Sequence, residues 1–229
     1  MNPSITALKT SQIGKTESGL PILAHHFGHG SKHVLILGGV HGDEVEGVVL
    51  AQAILSRLLA CDDLKLRLTL VPTFNLDGVL AKTRGNARGV DLNRNLSTKD
   101  WSAVATTPRY QPGPFALSES ENRALADFIE TEKPEFIISL HSWKPMLNIN
   151  EPQGSTICET VAKVIASHTG DIIEPTIGYS TPGCLGTYAG YERGIPTITY
   201  EIERGLQATE VIRRHLHAVF EGLKVLEDV

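Results

Sequence analysis

Cysteine is scarce in this 229-residue chain: only Cys61, Cys158 and Cys184 are present. An odd, scattered set suits a reducing cytoplasm better than a disulfide framework. An excess of basic residues is missing too. Lys and Arg total 21 against 26 Asp and Glu, a net charge of −5. That balance argues against nucleic acid or an anionic membrane as partner. No apolar run approaches the length of a membrane span. Met1-Asn2-Pro3-Ser4-Ile5-Thr6 lacks the basic region and apolar run of a secretory leader. The expectation is a cytoplasmic protein without membrane or nucleic-acid partners. No sequence feature sets an oligomeric state. Internal repeats, low-complexity tracts and linker-like composition shifts are also lacking.

What is present is ordinary globular composition, 41% hydrophobic and 21% charged, with enough length for one domain over residues 1–229. Apolar runs alternate with helical patterns, which predicts an α/β fold. Strands are expected at Pro21–Ala24, His33–Leu37, Leu66–Val71, Glu135–Leu140 and Thr197–Glu201. Helices are expected at Glu44–Leu59, from the capping-box pattern Ser118-Glu119-Ser120-Glu121 to Thr131, at Ser155–His168 and at Ala208–Leu226. Between them runs a long polar stretch, Asn75–Leu117, of the kind that is usually functional.

Several residues in this frame point to chemistry. His41 and Glu44 lie three apart in the turn after an apolar strand, so both can face one point. Alone, the pair also suits a polar turn with a carboxylate near a helix N-terminus. His141 ends another apolar strand. Together the three give the two-His, one-Glu set of a catalytic zinc, one ion with an open coordination position. Asp43 reads as a loop carboxylate or a partner to a ligand. Six of the seven other histidines, His25, His26, His33, His168, His215 and His217, lack such context and read as surface or core residues. The long stretch carries Arg84, Arg88, Asp91, Asn93 and Arg94. An arginine fork beside an amide matches a carboxylate, and an arginine near a metal can stabilise an oxyanion. Asp91 can brace an Arg or a His. In Ile198-Thr199-Tyr200-Glu201-Ile202-Glu203, alternation puts both glutamates on one strand face. Glu201, nearer the apolar run, is the chosen general base; a salt bridge to Arg204 is the plainer reading.

The combination of His-x-x-Glu, Asn75-Leu76-Asp77-Gly78, Arg84, Gly89-Val90-Asp91-Leu92-Asn93-Arg94-Asn95, His141-Ser142 and Glu201 resembles the zinc carboxypeptidases of the funnelin type. The resemblance implies a central mixed, mostly parallel sheet with helices on both faces. It implies His41, Glu44 and His141 as zinc ligands and Arg84 as the carbonyl-polarising arginine. It further implies Asn93 and Arg94 as the carboxylate clamp and Glu201 as the catalytic glutamate. Leu76 and Leu96 depart from the family pattern at positions without chemistry. Gly178-Tyr179-Ser180-Thr181-Pro182-Gly183 resembles a segment of the bacterial murein peptide amidases, in which Tyr179 matches a mobile tyrosine. Those enzymes are cytoplasmic and cleave the γ-D-glutamyl–meso-diaminopimelate bond of recycled cell-wall peptides. The substrate then expected is a small murein peptide. A general metallocarboxypeptidase, an aspartoacylase- or desuccinylase-like deacylase, and a peptide-binding domain without catalysis are the competing readings.

Overall fold

Short apolar runs become buried strands. The computed structural model describes residues 9–60, 64–105 and 107–227. Its strands are β1 (Lys9–Lys15), β2 (Pro21–Phe27), β3 (His33–Gly38), β4 (Arg67–Val71), β5 (Phe136–Trp143), β6 (Met146–Asn150), β7 (Ile172–Glu174) and β8 (Thr197–Glu203). They form one eight-stranded sheet in the order β1-β2-β4-β3-β5-β8-β6-β7. Four pairings are parallel (β3–β4, β3–β5, β5–β8, β6–β7) and three antiparallel. The expected mixed, mostly parallel sheet is the one found.

Both faces of the central strands are covered, which is why they read as continuous apolar runs. Along β3, Val34 and Ile36 point to one core and Leu35 and Leu37 to the other. The first core is closed by α1 (Val45–Ala60), α4 (Ile157–Thr169) and α6 (His217–Glu227), through Leu50, Ile54, Val161, Ile165, Val219 and Leu223. The second is closed by α3 (Ser120–Glu132), through Leu125, Phe128 and Ile129. Each such fully buried aliphatic side chain contributes roughly 1.5–3 kcal/mol.

The structure departs from the sequence expectation mainly at edges and starts. β1 is a polar strand at the sheet edge without an apolar run, and β7, at three residues, is too short to show a pattern. The polar stretch holds a short helix, α2 (Leu76–Ala81), capped by Asn75, whose Oδ1 accepts from Gly78 N at 2.9 Å. The capping box before α3 does not form. Ser118 Oγ donates to Glu119, and Glu121 accepts from Glu17 N. Asn86 Nδ2 donates to both Glu119 at 2.8 Å and Glu121 at 3.2 Å, so these carboxylates tie the long loop to the helix instead. The closing helix is α5 (Ala208–Val211) joined to α6 by a wider π turn at Ile212–Leu216. Among the described residues no helix is long and apolar enough to cross a membrane. Cys158 and Cys184 are free and buried, and Cys61 lies outside the described residues.

Candidate active site

The turn from β3 into α1 is built on close backbone approach. A Cβ at Gly42 would fall inside the peptide group of Gly78 in α2, so only glycine lets the two segments meet. Asn75 fixes the other side, donating from Nδ2 to the carbonyls of Val40 and Arg84. The Asn-Leu-Asp-Gly element therefore joins the turn to the loop that carries Arg84.

This turn delivers His41 and Glu44, and the adjacent β5 delivers His141. His41 Nε2 lies 2.9 Å from Asp91 Oδ1. A buried carboxylate there holds the proton on Nε2 and leaves Nδ1 with its lone pair. His141 Nε2 lies 3.0 Å from Ser139 Oγ, and its Nδ1 faces inward. That Nδ1 is 3.1 Å from His41 Nδ1 and 2.9 Å from Glu44 Oε2, while His41 Nδ1 is 3.0 Å from Glu44 Oε1. Two ring nitrogens and one carboxylate thus converge, all buried and each with a ligand atom within 4.8 Å of the others. The set is the nitrogen and oxygen donor set that suits zinc. Burial opposes ionisation of Glu44, yet His41 and His141 hold its carboxyl well below the usual carboxylate range. Burial and Arg84 pull the His41 pKa down, but Glu44 and Asp91 outweigh them and raise it. Asp91, fully buried, is likewise held far below its usual range by His41 and Arg84.

Parallel register places Glu201 of β8 directly beside His141 of β5. Glu201 is only 8% exposed, and its Oε2 has no hydrogen-bond partner among the described residues. Burial raises its pKa to about 7, with Glu44 adding to the shift and His141 and Arg84 opposing it. Glu203, on the same strand face, is exposed and pairs with Arg214 at 3.2 Å. Arg204 bonds to Asp43 instead of Glu201. Arg84 spans the site, donating to Glu44 Oε1 at 2.9 Å and to Asp91 Oδ2 at 2.8 Å. Arg94 donates to the Asn93 carbonyl at 2.6 Å, and Asn93 Oδ1 accepts from Leu185 N at 2.8 Å. The guanidiniums of Arg84 and Arg94 lie 5.0 and 5.2 Å from the Tyr110 ring centre. Tyr179 stacks on Tyr110 at 6.2 Å and meets Trp143 edge-on at 5.8 Å.

His41, Glu44, Arg84, Asn93, Arg94, Tyr179 and Glu201 all line one cleft of about 240 Å³, and His141 joins it through His41 and Glu44. Arg88 stays outside, half-exposed between Glu17 and Glu119. Of the other histidines, His33 is buried against Thr69 and His215 against Tyr200. The sequence reading missed Asn148 and Asn150 in the cleft wall. Their two-residue spacing around Ile149 was the available signal, hidden because β6 went unrecognised. Glu46 was missed as well. It is buried in the first turn of α1, accepting from Ser142 Oγ and Gly205 N, both at 2.6 Å. Arg109 and Tyr110 carried no signal within a polar loop.

The zinc carboxypeptidase family profile matches residues 1–207. Murein peptide amidase A of Vibrio campbellii (strain ATCC BAA-1116) is 30% identical over 221 residues, covering 91% of this chain and 84% of the relative. The protein of that name from Escherichia coli (strain K12) is 29% identical over 227 residues, covering 94% and 89%. The crystal structure of the murein-tripeptide amidase from Escherichia coli O157 superposes with a TM-score of 0.79 at 26% identity, covering 94% of this chain and 91% of that one. The chain is a zinc-dependent hydrolase, and it belongs to the zinc carboxypeptidase family.

Proposed function

We propose that this protein is a murein peptide amidase, hydrolysing the γ-D-glutamyl–meso-diaminopimelate amide bond of cell-wall peptides recycled in the cytoplasm. The observation that carries the reading is the convergence of the candidate ligands His41, Glu44 and His141 with Glu201, Arg84, Asn93 and Arg94 at one cleft, in a chain that matches two enzymes of that name over more than four-fifths of their length. Two free thiols and no disulfide among the described residues accord with a reducing compartment.

In this proposal His41, Glu44 and His141 hold the zinc. Bound there, zinc supplies Lewis-acid polarisation and acidifies water. Glu201 takes the proton of the attacking water on its unpartnered carboxylate and hands it to the leaving amine. Arg84 donates hydrogen bonds to the oxygen on which charge develops, and Asp91 keeps both Arg84 and His41 in place. Arg94 and Asn93 clamp the carboxylate beside the scissile nitrogen, and Tyr179 covers the mouth. The walls beyond Glu201 hold Asn148, Asn150, Thr181 and Thr199 and, among the described residues, no further acid. Diaminopimelate ends in both an ammonium and a carboxylate, so a polar wall of amides and hydroxyls matches it better than a lone acid would.

The test is incubation with L-Ala-γ-D-Glu-meso-diaminopimelate and with a series of α-linked dipeptides, followed by mass analysis. Release of free diaminopimelate is expected, with slow or no release of Lys, Arg or Phe. Efficient cleavage of the ordinary peptides with no action on the murein tripeptide would instead establish a general carboxypeptidase.

A further inference from the structure

The cleft has a deep end and a mouth, and the two are chemically different. Thr199 of β8 lies two residues before Glu201, and Arg204, just past the end of that strand, lies three residues after it. At about 3.3 Å per residue, they stand on opposite sides of the base. Beside Thr199 are Asn148 and Asn150 of β6, both buried, with Asn148 paired to Thr199 in register. Beside Arg204 are Arg109 and Asp43. The side chains of Arg109 and Arg204 are 45% and 41% exposed. The released residue fills the enclosed end, so the acyl side of the substrate must leave past the two arginines.

Those arginines are arranged around a single acid. Arg109 donates to Asp43 Oδ2 at 2.7 Å. Arg204 reaches the same oxygen at 3.2 Å and the Asp43 carbonyl at 2.7 Å. Backbone pairing of Arg204 N to the Trp143 carbonyl at 3.0 Å anchors its base beside β5. Two positive charges and one negative leave a net positive mouth. Each guanidinium has five N–H donors, and each uses only one of its terminal nitrogens on Asp43. Donors therefore remain on both for a further oxygen-rich anion.

We propose that Arg109 and Arg204, held by Asp43, bind the free α-carboxylate of a γ-linked glutamyl group on the acyl side of the scissile bond. The proposal rests on the γ-glutamyl reading given above. A γ-linked glutamyl residue carries this carboxylate four bonds from the scissile carbonyl carbon, a reach of about 5 Å. An α-linked peptide brings a carboxylate to that distance only when its acyl residue is glutamate, through the side chain. The arginine pair thus acts as a specificity determinant, separating a γ-glutamyl acyl group from α-linked acyl groups that carry no side-chain carboxylate.

The experiment compares L-Ala-γ-D-Glu-meso-diaminopimelate with the same tripeptide amidated at the glutamyl α-carboxylate. Wild-type protein is expected to favour the free acid by about tenfold or more in kcat/KM. Arg109→Gln and Arg204→Gln should each shrink that preference, chiefly through KM, and the double variant should bring it close to one. Equal use of both tripeptides by the wild type, or an undiminished preference in the double variant, would overturn this subsite and leave the amidase reading standing. Failure of the wild type to cleave either tripeptide would overturn both. Because the key comparison is between two substrates on the same protein, misfolding of a variant cannot imitate the expected result.

Discussion

Glu201 sits where an isolated carboxylate is costly: buried, beside Glu44, with one oxygen unpaired. In protein stripped of zinc by a chelator, that placement has a consequence with a definite sign. Its pKa rises from 4.5 to about 7 on folding, so the folded state keeps a proton that the unfolded state releases. Below pH 4.5 the group is neutral in both states and costs nothing. Stability then falls as pH climbs through this interval, by about 3 kcal/mol in all. Chelated Glu201→Gln should therefore be the more stable protein above pH 7, and the gap should close on acidification. Denaturant melts of both proteins across this range check it; a gap independent of pH would contradict the argument. Loaded with zinc, Glu201→Gln should retain metal and lose at least a thousandfold in turnover, the upper part of what a general base supplies. Asp91→Asn removes the charge that holds both the His41 ring and Arg84. Zinc affinity should drop about 10- to 100-fold, read by competition with a chromogenic chelator. At this scale the sequence was most legible. His41, Glu44, His141 and Glu201 stand out because polar groups at or just past the ends of apolar strands need a reason to be there, whereas Arg84, Asn93, Arg94 and Tyr179 lie in loops and were legible only through the motifs around them. Arg109, Tyr110 and Glu46 were not legible, because a charge in a polar loop or a first helical turn is common without any special task.

Elements explain why those residues meet. β3, β5 and β8 are adjacent and parallel, so their carboxyl ends lie side by side and bring His41, His141 and Glu201 together. Ridges of apolar residues made these central strands readable. β1, β6 and β7 lie toward the sheet edges, with shorter or more polar sequences, and went unseen for that reason. α2 was hidden inside what reads as a turn, because its Asn75 cap and left-handed Lys82 terminus use turn residues to make a helix. The contact between α2 and the turn before α1 gives a prediction at this scale. Gly42→Ala must push the Gly78 peptide away, since its methyl group would overlap backbone rather than a flexible side chain. Overpacking of this kind costs about 1–3 kcal/mol, and the displaced turn carries His41 and Glu44. Thermal melts should show a lower midpoint, and the purified variant should carry less zinc than the wild type. Unchanged metal content at a lowered midpoint would mean that the turn adapts without moving its ligands.

At the scale of the whole molecule, the three proposed ligands come from two distant parts of the chain: His41 and Glu44 from the turn before α1, His141 from β5. The unfolded chain has no such preformed set, so zinc binds the folded state selectively and its binding energy adds to stability. With free zinc at 1,000 times Kd, the gain is about 4 kcal/mol. For a chain of 229 residues, each kcal/mol moves the midpoint by about 2–4 °C. Chelation should therefore lower Tm by about 10 °C, and added zinc should restore it. His141→Ala separates this linkage from nonspecific effects of the metal. It removes one of three ligands while leaving the net charge of −5 unaltered with histidine neutral. Its melting temperature should respond little to zinc over the range that saturates the wild type. An undiminished zinc response in His141→Ala would place the stabilising metal elsewhere, and the cleft would lose its claim to it. A wild-type midpoint indifferent to chelator and zinc alike would mean that the folded ligand set does not depend on the metal for its stability, leaving Glu201→Gln turnover as the separate measure of the proposed chemistry.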